Sequence, residues 1–144
     1  MRQEFPNVTA LRRLHREMFN LTWTWAGQFR KSDKNIGIYS TLIPAELHHL
    51  CEDTRSWIEQ QTYDWHELGI RFHHRLVSIH PFPNGNGRHA RLATDILLRQ
   101  NRQVPFSWGS RSLVADGDVR RAYIAALQRA DIGDMEPLLA FVAT

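Results

Sequence analysis

The sequence predicts an all-α domain with one small extended excursion, and three observations lead to this fold class. Apolar residues recur at helical spacing along most of the 144-residue chain. Residues that cap or open helices precede several of these stretches. Residues 23–43, between the first two helices, lack that periodicity, and they contain two glycines and a charged run. A chain of this length supports one core, so we expect a single domain over residues 1–144.

The first two helices are predicted from their starts and their apolar stripes. Asn7 caps the first, and Pro44 lies in the first turn of the second. The first stripe comprises Val8, Leu11, Leu14 and Met18. The second comprises Leu47, Leu50, Cys51, Thr54, Trp57 and Ile58. Because the only cysteine, Cys51, lies on such a stripe, we expect a buried, unreactive thiol.

The third helix is predicted to begin at a capping box formed by Asp64 and Glu67. Its apolar face comprises Leu68, Phe72, Leu76 and Ile79. The helix should end at His80, because Pro81 disfavours helical geometry in the residue before it. A fourth helix is expected to begin near Gly87.

The C-terminal part is predicted as a connection followed by two helices. Residues 101–117 are rich in turn formers, with a short ordered piece expected over 104–108. Asp116 or Asp118 is the expected cap of the fifth helix. Asp134 is the expected cap of the last one, which has Pro137 in its first turn.

The loop over residues 80–91, His-Pro-Phe-Pro-Asn-Gly-Asn-Gly-Arg-His-Ala-Arg, carries the predicted chemistry. Gly85 and Gly87 precede a helix, so several backbone N–H groups can face one concavity and bind an anion. Arg88 and Arg91 project from the first turn of that helix, where guanidinium groups suit phosphate oxygens. The alternative is a plain turn whose arginines pair with surface carboxylates.

His80 favours the chemical interpretation of this loop. Its ordinary pKa, about 6.5, suits a base that takes a proton from a hydroxyl at neutral pH. Phe82 is expected to pin the loop to the core. A base, an anion cradle and paired arginines are the parts required for phosphoryl or nucleotidyl transfer.

The composition of the chain limits the classes of binding partner that we expect. The net charge of +3 permits an anionic ligand. The basic residues are spread over several helices, so nucleic-acid binding is not expected. Apolar runs are short and no signal-like segment follows Met1, so we expect a chain without a membrane span in the cytoplasm. Delivery to another cell as an effector is a second expectation.

The adjacent histidine pairs do not suggest a metal site. Neighbouring side chains on a helix point in different directions, so the members of a pair do not converge on one ion. The pairs are His48-His49 and His73-His74.

The loop resembles the Fic motif, His-Pro-Phe-x-(Asp/Glu)-Gly-Asn-Gly-Arg-x-x-Arg, and matches every fixed position except Asn84. Residues 25–30, Trp-Ala-Gly-Gln-Phe-Arg, resemble the segment leading into the family's flap, and residues 72–74 resemble its pre-motif helix. The resemblance covers roughly residues 10–130. The surrounding sequence is similar to the bacterial branch called mobile mystery protein B.

The resemblance implies a helical bundle with a small β-hairpin flap over about residues 30–43, and transfer of AMP from ATP to a Ser, Thr or Tyr hydroxyl of a target protein. His80 is the implied base. The implied nucleotide-binding residues are Pro83, Asn84, Gly85, Asn86, Gly87, Arg88 and Arg91. Gly85 to Gly87 take the α-phosphate, Arg88 the β-phosphate and Arg91 the γ-phosphate. The target docks on the flap as an added strand.

Asn84 departs from the motif at a position where the family usually has an acidic ligand for Mg²⁺. An amide oxygen can still bind the ion, but without the charge, so weaker Mg²⁺ binding is expected. Phosphoryl transfer, or a non-catalytic nucleotide-binding or toxin–antitoxin regulatory module, remains the alternative. The intact glycine and asparagine residues of the loop favour AMP transfer.

Self-inhibition is not expected from this sequence. Many relatives carry an inhibitory helix marked Ser/Thr-x-x-x-Glu-Gly/Asn, whose glutamate pairs with the arginine that matches Arg91. No glutamate of this chain has serine or threonine four positions before it. Restraint is therefore expected from a partner, such as an antitoxin, or from residues upstream of Met1.

Overall fold

The computed structural model describes residues 5–33, 37–110 and 116–143. Within them the chain is helical, which confirms the predicted all-α class. The α-helices are α1 (Val8–Phe19), α2 (Ile43–Gln60), α3 (Trp65–Ile79), α4 (Asn86–Gln100), α5 (Asp116–Asp131) and α6 (Glu136–Val142). A short 3₁₀ helix, Ser40–Leu42, precedes α2. No helix of the described segments is both long and apolar enough to cross a bilayer.

Helix α3 holds the bundle together, since it packs against α2, α4 and α6. The larger core lies between α1, α2, α3 and α4, where the predicted stripes meet. A smaller core joins α5 and α6 to Ile70 of α3. Cys51 is buried as expected, and burial raises the pKa of its thiol to about 11. The antiparallel pair α3 and α4 places the residues between them, 80–85, at one end of the bundle.

Two predicted caps are confirmed at their helix starts. The Asn7 side chain accepts a hydrogen bond from the Ala10 N–H, and that of Asp64 accepts one from the Glu67 N–H, both at 2.8 Å. The full capping box is wrong, because the Glu67 carboxylate accepts two hydrogen bonds from Arg71 one turn later. An arginine on the same helix face competes successfully for that carboxylate.

The caps predicted for the last two helices are wrong. Helix α5 already includes Asp116, which places Asp118 inside its first turn, and the preceding residues lie outside the described part of the chain. The cap position of α6 is Met135 rather than Asp134. The Asp134 carboxylate nevertheless accepts a long hydrogen bond, 3.3 Å, from the Glu136 N–H. The observed cap position of α6 therefore lies one residue after the predicted one.

The predicted β-hairpin flap is not seen. Of the predicted flap, residues 30–33 and 37–39 are irregular, residues 40–42 form the 3₁₀ helix, and residue 43 begins α2, while residues 34–36 lie outside the described part of the chain. The physical reason is Arg30, whose guanidinium donates to the carbonyls of Ser32 and Ile38. A side chain therefore takes acceptors that a hairpin would use between its strands.

Residues 101–110 form the expected connection, without a regular element. Its aromatic side chains still pack in the bundle: Phe106 lies against the smaller core, and the Trp108 indole donates to the Asp95 carboxylate at 2.9 Å. Residues 111–115 of the predicted connection lie outside the described residues.

Candidate functional site

His80 lies where α3 ends, as predicted, and its backbone is left-handed, with φ 52° and ψ 60°. The imidazole is half-buried and makes no hydrogen bond with any residue that the structure describes, so its nitrogens are available to a ligand. Burial lowers the pKa of His80 below its ordinary value, and the charge of nearby Arg30 lowers it further. His80 is therefore a neutral proton acceptor at pH 7.

The loop after His80 is closed by Asn86. Its side-chain oxygen accepts from the Phe82 N–H at 3.0 Å, and its amide nitrogen donates to the Phe82 carbonyl at 2.7 Å. Phe82 is fully buried, which agrees with the predicted pin. Both polar atoms of the Asn86 side chain are thus hydrogen-bonded inside the loop, which orients the buried side chain toward Phe82.

The two glycines of the loop serve different purposes. Gly85 has φ +80°, and a Cβ there would lie 2.8 Å from the Phe19 ring, so both conformation and space require glycine. A Cβ on Gly87 would meet nothing within 4 Å. Gly87 thus borders open space at the start of α4, where a bound group has room.

The N-terminus of α4 supplies backbone donors to that space. The first helical hydrogen bond runs from the His89 N–H to the Gly85 carbonyl, at 2.9 Å. The N–H groups of Asn86, Gly87 and Arg88 precede it and have no acceptor within the helix. Together with the helix dipole, these donors favour an anion at this point.

Arg88 and Arg91 border the same helix start, and aromatic rings rather than carboxylates hold them. The Arg88 guanidinium carbon lies 4.8 Å from the Phe19 ring centroid, and that of Arg91 lies 5.2 Å from the Tyr123 centroid. Neither arginine forms an ion pair within residues 5–33, 37–110 and 116–143. The plain alternative, pairing with surface carboxylates, does not describe these side chains.

Asn84 and Pro83 are both exposed at the rim of the loop. The Asn84 side-chain oxygen accepts from the Gly85 N–H at 2.8 Å. That oxygen is the group expected to bind Mg²⁺, and it is neutral and already used. No cluster of three or more His, Cys, Asp or Glu suited to a metal occurs among the described residues. The protein alone therefore fits Mg²⁺ poorly here.

The structure adds His15, which sequence reasoning missed. Its Nδ1 accepts from the Gly27 N–H at 2.9 Å, so its Nε2 carries the proton and donates to the Asn84 carbonyl at 2.9 Å. The ring stacks on Phe82 with centroids 3.8 Å apart. A signal existed, because His15 lies between Leu11 and Phe19 on the buried stripe of α1, where a polar residue needs partners.

Burial keeps His15 neutral. It lowers the pKa of the ring, the Arg88 charge adds to that effect, and the hydrogen bond to the Asn84 carbonyl opposes it. The neutral tautomer is the one that satisfies Gly27 and Asn84 together. Protonation would remove the acceptor that the Gly27 N–H requires.

Fold and site together define a helical bundle that presents a glycine-containing anion loop between two of its helices, with a histidine at its entrance. The chain belongs to the Fic/DOC family, whose profile matches residues 5–98. The branch within the family stays a prediction.

The curated relatives are much longer than this chain. It is 32% identical over 120 residues to protein adenylyltransferase Fic of Aedes aegypti, which covers 81% of this chain and 23% of that protein. It is 28% identical over 121 residues to protein adenylyltransferase fic-1 of Caenorhabditis elegans, covering 82% of this chain and 22% of that protein. The chain thus spans less than a quarter of each.

Solved structures share the fold. Fic-1 (residues 134–508) of C. elegans superposes with a TM-score of 0.74 at 25% identity, over 95% of this chain and 39% of that one. A Fic-domain-containing signalling protein of Bacteroides thetaiotaomicron gives a TM-score of 0.77 at 19% identity, over 95% of this chain and 58% of that one.

Proposed function

We propose that this chain transfers AMP from ATP to a Ser, Thr or Tyr hydroxyl of a target protein. The observation that carries the proposal is the half-buried His80 ring, free of hydrogen bonds to described residues, at the entrance of a loop whose arginines form no ion pair among those residues. The names of the curated relatives, protein adenylyltransferases, support the same reaction.

In this reaction His80 takes the proton of the target hydroxyl through a ring nitrogen. The hydroxyl oxygen attacks the α-phosphorus of ATP and forms a new P–O bond. The bond from that phosphorus to the bridging oxygen breaks, and pyrophosphate leaves. The N–H groups of Gly87 and its neighbours at the start of α4 stabilise the charge on the α-phosphate.

The arginines take the leaving pyrophosphate. Arg88 binds the β-phosphate and Arg91 the γ-phosphate, the roles that the family resemblance assigns them. Guanidinium groups bind phosphate oxygens through paired charge-assisted hydrogen bonds, and rings beneath them hold the cations without neutralising them. Mg²⁺, where it takes part, arrives with the nucleotide, and Asn84 with Pro83 lies at the rim where it would meet the loop.

The target is proposed to dock along the flap, residues 30–43, so that its hydroxyl faces His80. The contact of Gly37 with His80 supports this placement, since a Cβ on Gly37 would lie 2.7 Å from the Cβ of His80. A segment bound along the flap thus runs beside the base. We also propose that a regulatory protein, such as an antitoxin, controls this site. The proposed place of action is the cytoplasm, or another cell to which the protein is delivered.

The test uses ATP labelled at either the α- or the γ-phosphate, incubated with the purified chain and a cell lysate. Protein-bound label from the α-position alone supports AMP transfer. Label from the γ-position alone identifies the alternative, phosphoryl transfer, and contradicts the proposal. Label from neither position, with ATP binding retained by calorimetry, identifies a non-catalytic nucleotide-binding domain.

A further inference from the structure

Arg30 is a buried cation for which the proposed reaction has no use. It is 6% exposed, and its only carboxylate neighbour among the described residues is Asp33, at 3.6 Å and itself half exposed. Burying a guanidinium is unfavourable unless its donors are satisfied. Arg30 can therefore remain buried only because acceptors nearby satisfy its N–H groups.

The donors of Arg30 converge on the end of α3. Its Nε donates to the His80 carbonyl at 2.5 Å, and an Nη donates to the Ile79 carbonyl at 3.1 Å. Its main-chain N–H donates to the Pro81 carbonyl at 2.9 Å. One residue thus binds three consecutive carbonyls centred on His80. A cation at this place also complements the negative end of the helix dipole.

His80 needs such support. Its φ of 52° lies in the left-handed region, which a residue with a side chain adopts only where its surroundings hold it there. The carbonyl contacts of Arg30 fix the peptide planes on both sides of the His80 Cα. Gly37 packs closely against the Arg30 guanidinium, because a Cβ on Gly37 would lie 2.8 Å from an Nη of Arg30.

We infer that Arg30 is the positioning residue of this site: it holds the His80 backbone in the left-handed conformation and so directs the imidazole toward the incoming hydroxyl. The inference rests on the proposed function for its catalytic consequence. The geometric part, that Arg30 sets the position of His80, is independent of which group is transferred.

The same contact affects the charge state of the base. Burial lowers the pKa of His80, and the Arg30 cation lowers it further. Among the described residues, Arg30 is the charged group that acts on His80, and the Asp33 carboxylate pairs with Arg30 at 3.6 Å. The neutral form is the base, so a lower pKa keeps His80 active to lower pH. Loss of the cation should therefore raise the pKa of His80 toward about 6.5.

The test compares three variants. Arg30→Gln removes the charge and the forked donors, and Arg30→Lys keeps the charge but not the fork. Arg55→Gln is the matched control, because Arg55 is a partly buried arginine of α2 that donates to the Pro6 carbonyl. For each we measure the pKa of His80 by NMR titration without nucleotide, the affinity for ATP, and the rate of AMP transfer against pH.

We expect Arg30→Gln to raise the His80 pKa and to lower the transfer rate by about 10²-fold, the scale of a displaced catalytic group. Its affinity for ATP should change little. Arg30→Lys should keep the low pKa and still lose most of the rate. A His80 pKa and pH profile in Arg30→Gln that match those of Arg55→Gln would overturn the inference.

A wild-type measurement guards against variants that do not fold. The Arg30 Nε–H should exchange with solvent much more slowly than that of Arg13, whose side chain is 69% exposed, and its chemical shift should follow the titration of His80. Exchange as fast as at Arg13, or a shift that ignores His80, contradicts the positioning role. If the wild type transfers no AMP, the proposed function fails, while these NMR results still decide the role of Arg30.

Discussion

The Nε2–H of His15 donates to the main-chain carbonyl of Asn84 across 2.9 Å, and this bond joins α1 to the loop over residues 80–91. The same ring accepts from the Gly27 N–H. The His15 imidazole therefore holds both the loop, at Asn84, and the segment that leads into the flap, at Gly27. It can do so only while neutral, because one ring nitrogen must donate and the other must accept.

His15→Phe keeps the ring stacking on Phe82 and removes both hydrogen bonds. An unsatisfied buried polar group costs about 1–3 kcal/mol, so we expect the free energy of unfolding to fall by about 2 kcal/mol or more. Affinity for ATP should also weaken, since the loop loses a support. Urea denaturation and calorimetry measure the two effects. The exposed His49→Phe is the control, and equal results for the two variants contradict this account.

His80→Ala should abolish target modification while leaving ATP affinity nearly unchanged, because the base acts on the hydroxyl and the loop holds the phosphates. Loss of a general base usually costs ~10²–10⁴-fold in rate. The measurement is transfer of α-labelled AMP at saturating ATP. His66→Ala changes an exposed histidine in the first turn of α3, far along the chain from His80, and should retain activity. Full activity of His80→Ala would remove His80 from the mechanism.

Asn84→Asp should strengthen the dependence of transfer on Mg²⁺ and raise activity, since a carboxylate supplies the charge that the neutral amide lacks. The Mg²⁺ concentration for half-maximal rate should fall. Asn20→Asp, at the exposed end of α1, controls for added surface charge. Lower activity at saturating Mg²⁺ would mean that the side chain serves its hydrogen bond to Gly85 rather than a metal.

Arg91→Ala tests both the phosphate role and the expected lack of self-inhibition. Hydrogen bonds to charged groups contribute ~1.5–3 kcal/mol, so ATP affinity should fall roughly 10-fold or more. Arg99→Ala, in the last turn of the same helix, should bind ATP as the wild type does. Calorimetry without a target decides the outcome. Affinity that improves on Arg91→Ala would reveal a group that already occupies the arginine.

Stability should fall as the pH drops from about 6.5 toward 4. Burial lowers the pKa of His89 to about 4 and that of His73 to about 3. In that window the unfolded chain binds protons at these positions and the folded chain does not, so each histidine contributes a slope of up to ~1.4 kcal/mol per pH unit.

The check is urea denaturation at several pH values. His89→Gln retains a donor for the Leu11 carbonyl but cannot titrate, so its unfolding free energy should depend less on pH than that of the wild type. An unchanged slope in His89→Gln would show that His89 does not carry the effect.

Some features of this chain were determined by the sequence alone, because the interactions that set them span a few residues. Helix starts at Asn7 and Asp64 depend on a side chain and a backbone N–H three positions away. The end of α3 depends on one peptide bond, before Pro81. The loop over residues 80–91 is contiguous, so its residue types predict an anion-binding site before any packing is known. Local chemistry misled where a competitor existed, as with Arg71 at Glu67, and it placed the cap of α6 one residue too early.

Only the tertiary structure decided what surrounds that loop. Arg30 meets the His80 carbonyl 50 residues away, and His15 meets Asn84 69 residues away. Tyr123 reaches Arg91 from α5. Such pairs depend on how helices pack, and helical spacing indicates which face is buried without naming its partner. The flap shows the same limit. Its sequence predicts a hairpin, but in the structure the Arg30 N–H donates to the Pro81 carbonyl and the Arg30 guanidinium donates to the carbonyls of Ser32 and Ile38. Those groups are the ones that a hairpin would pair between its strands.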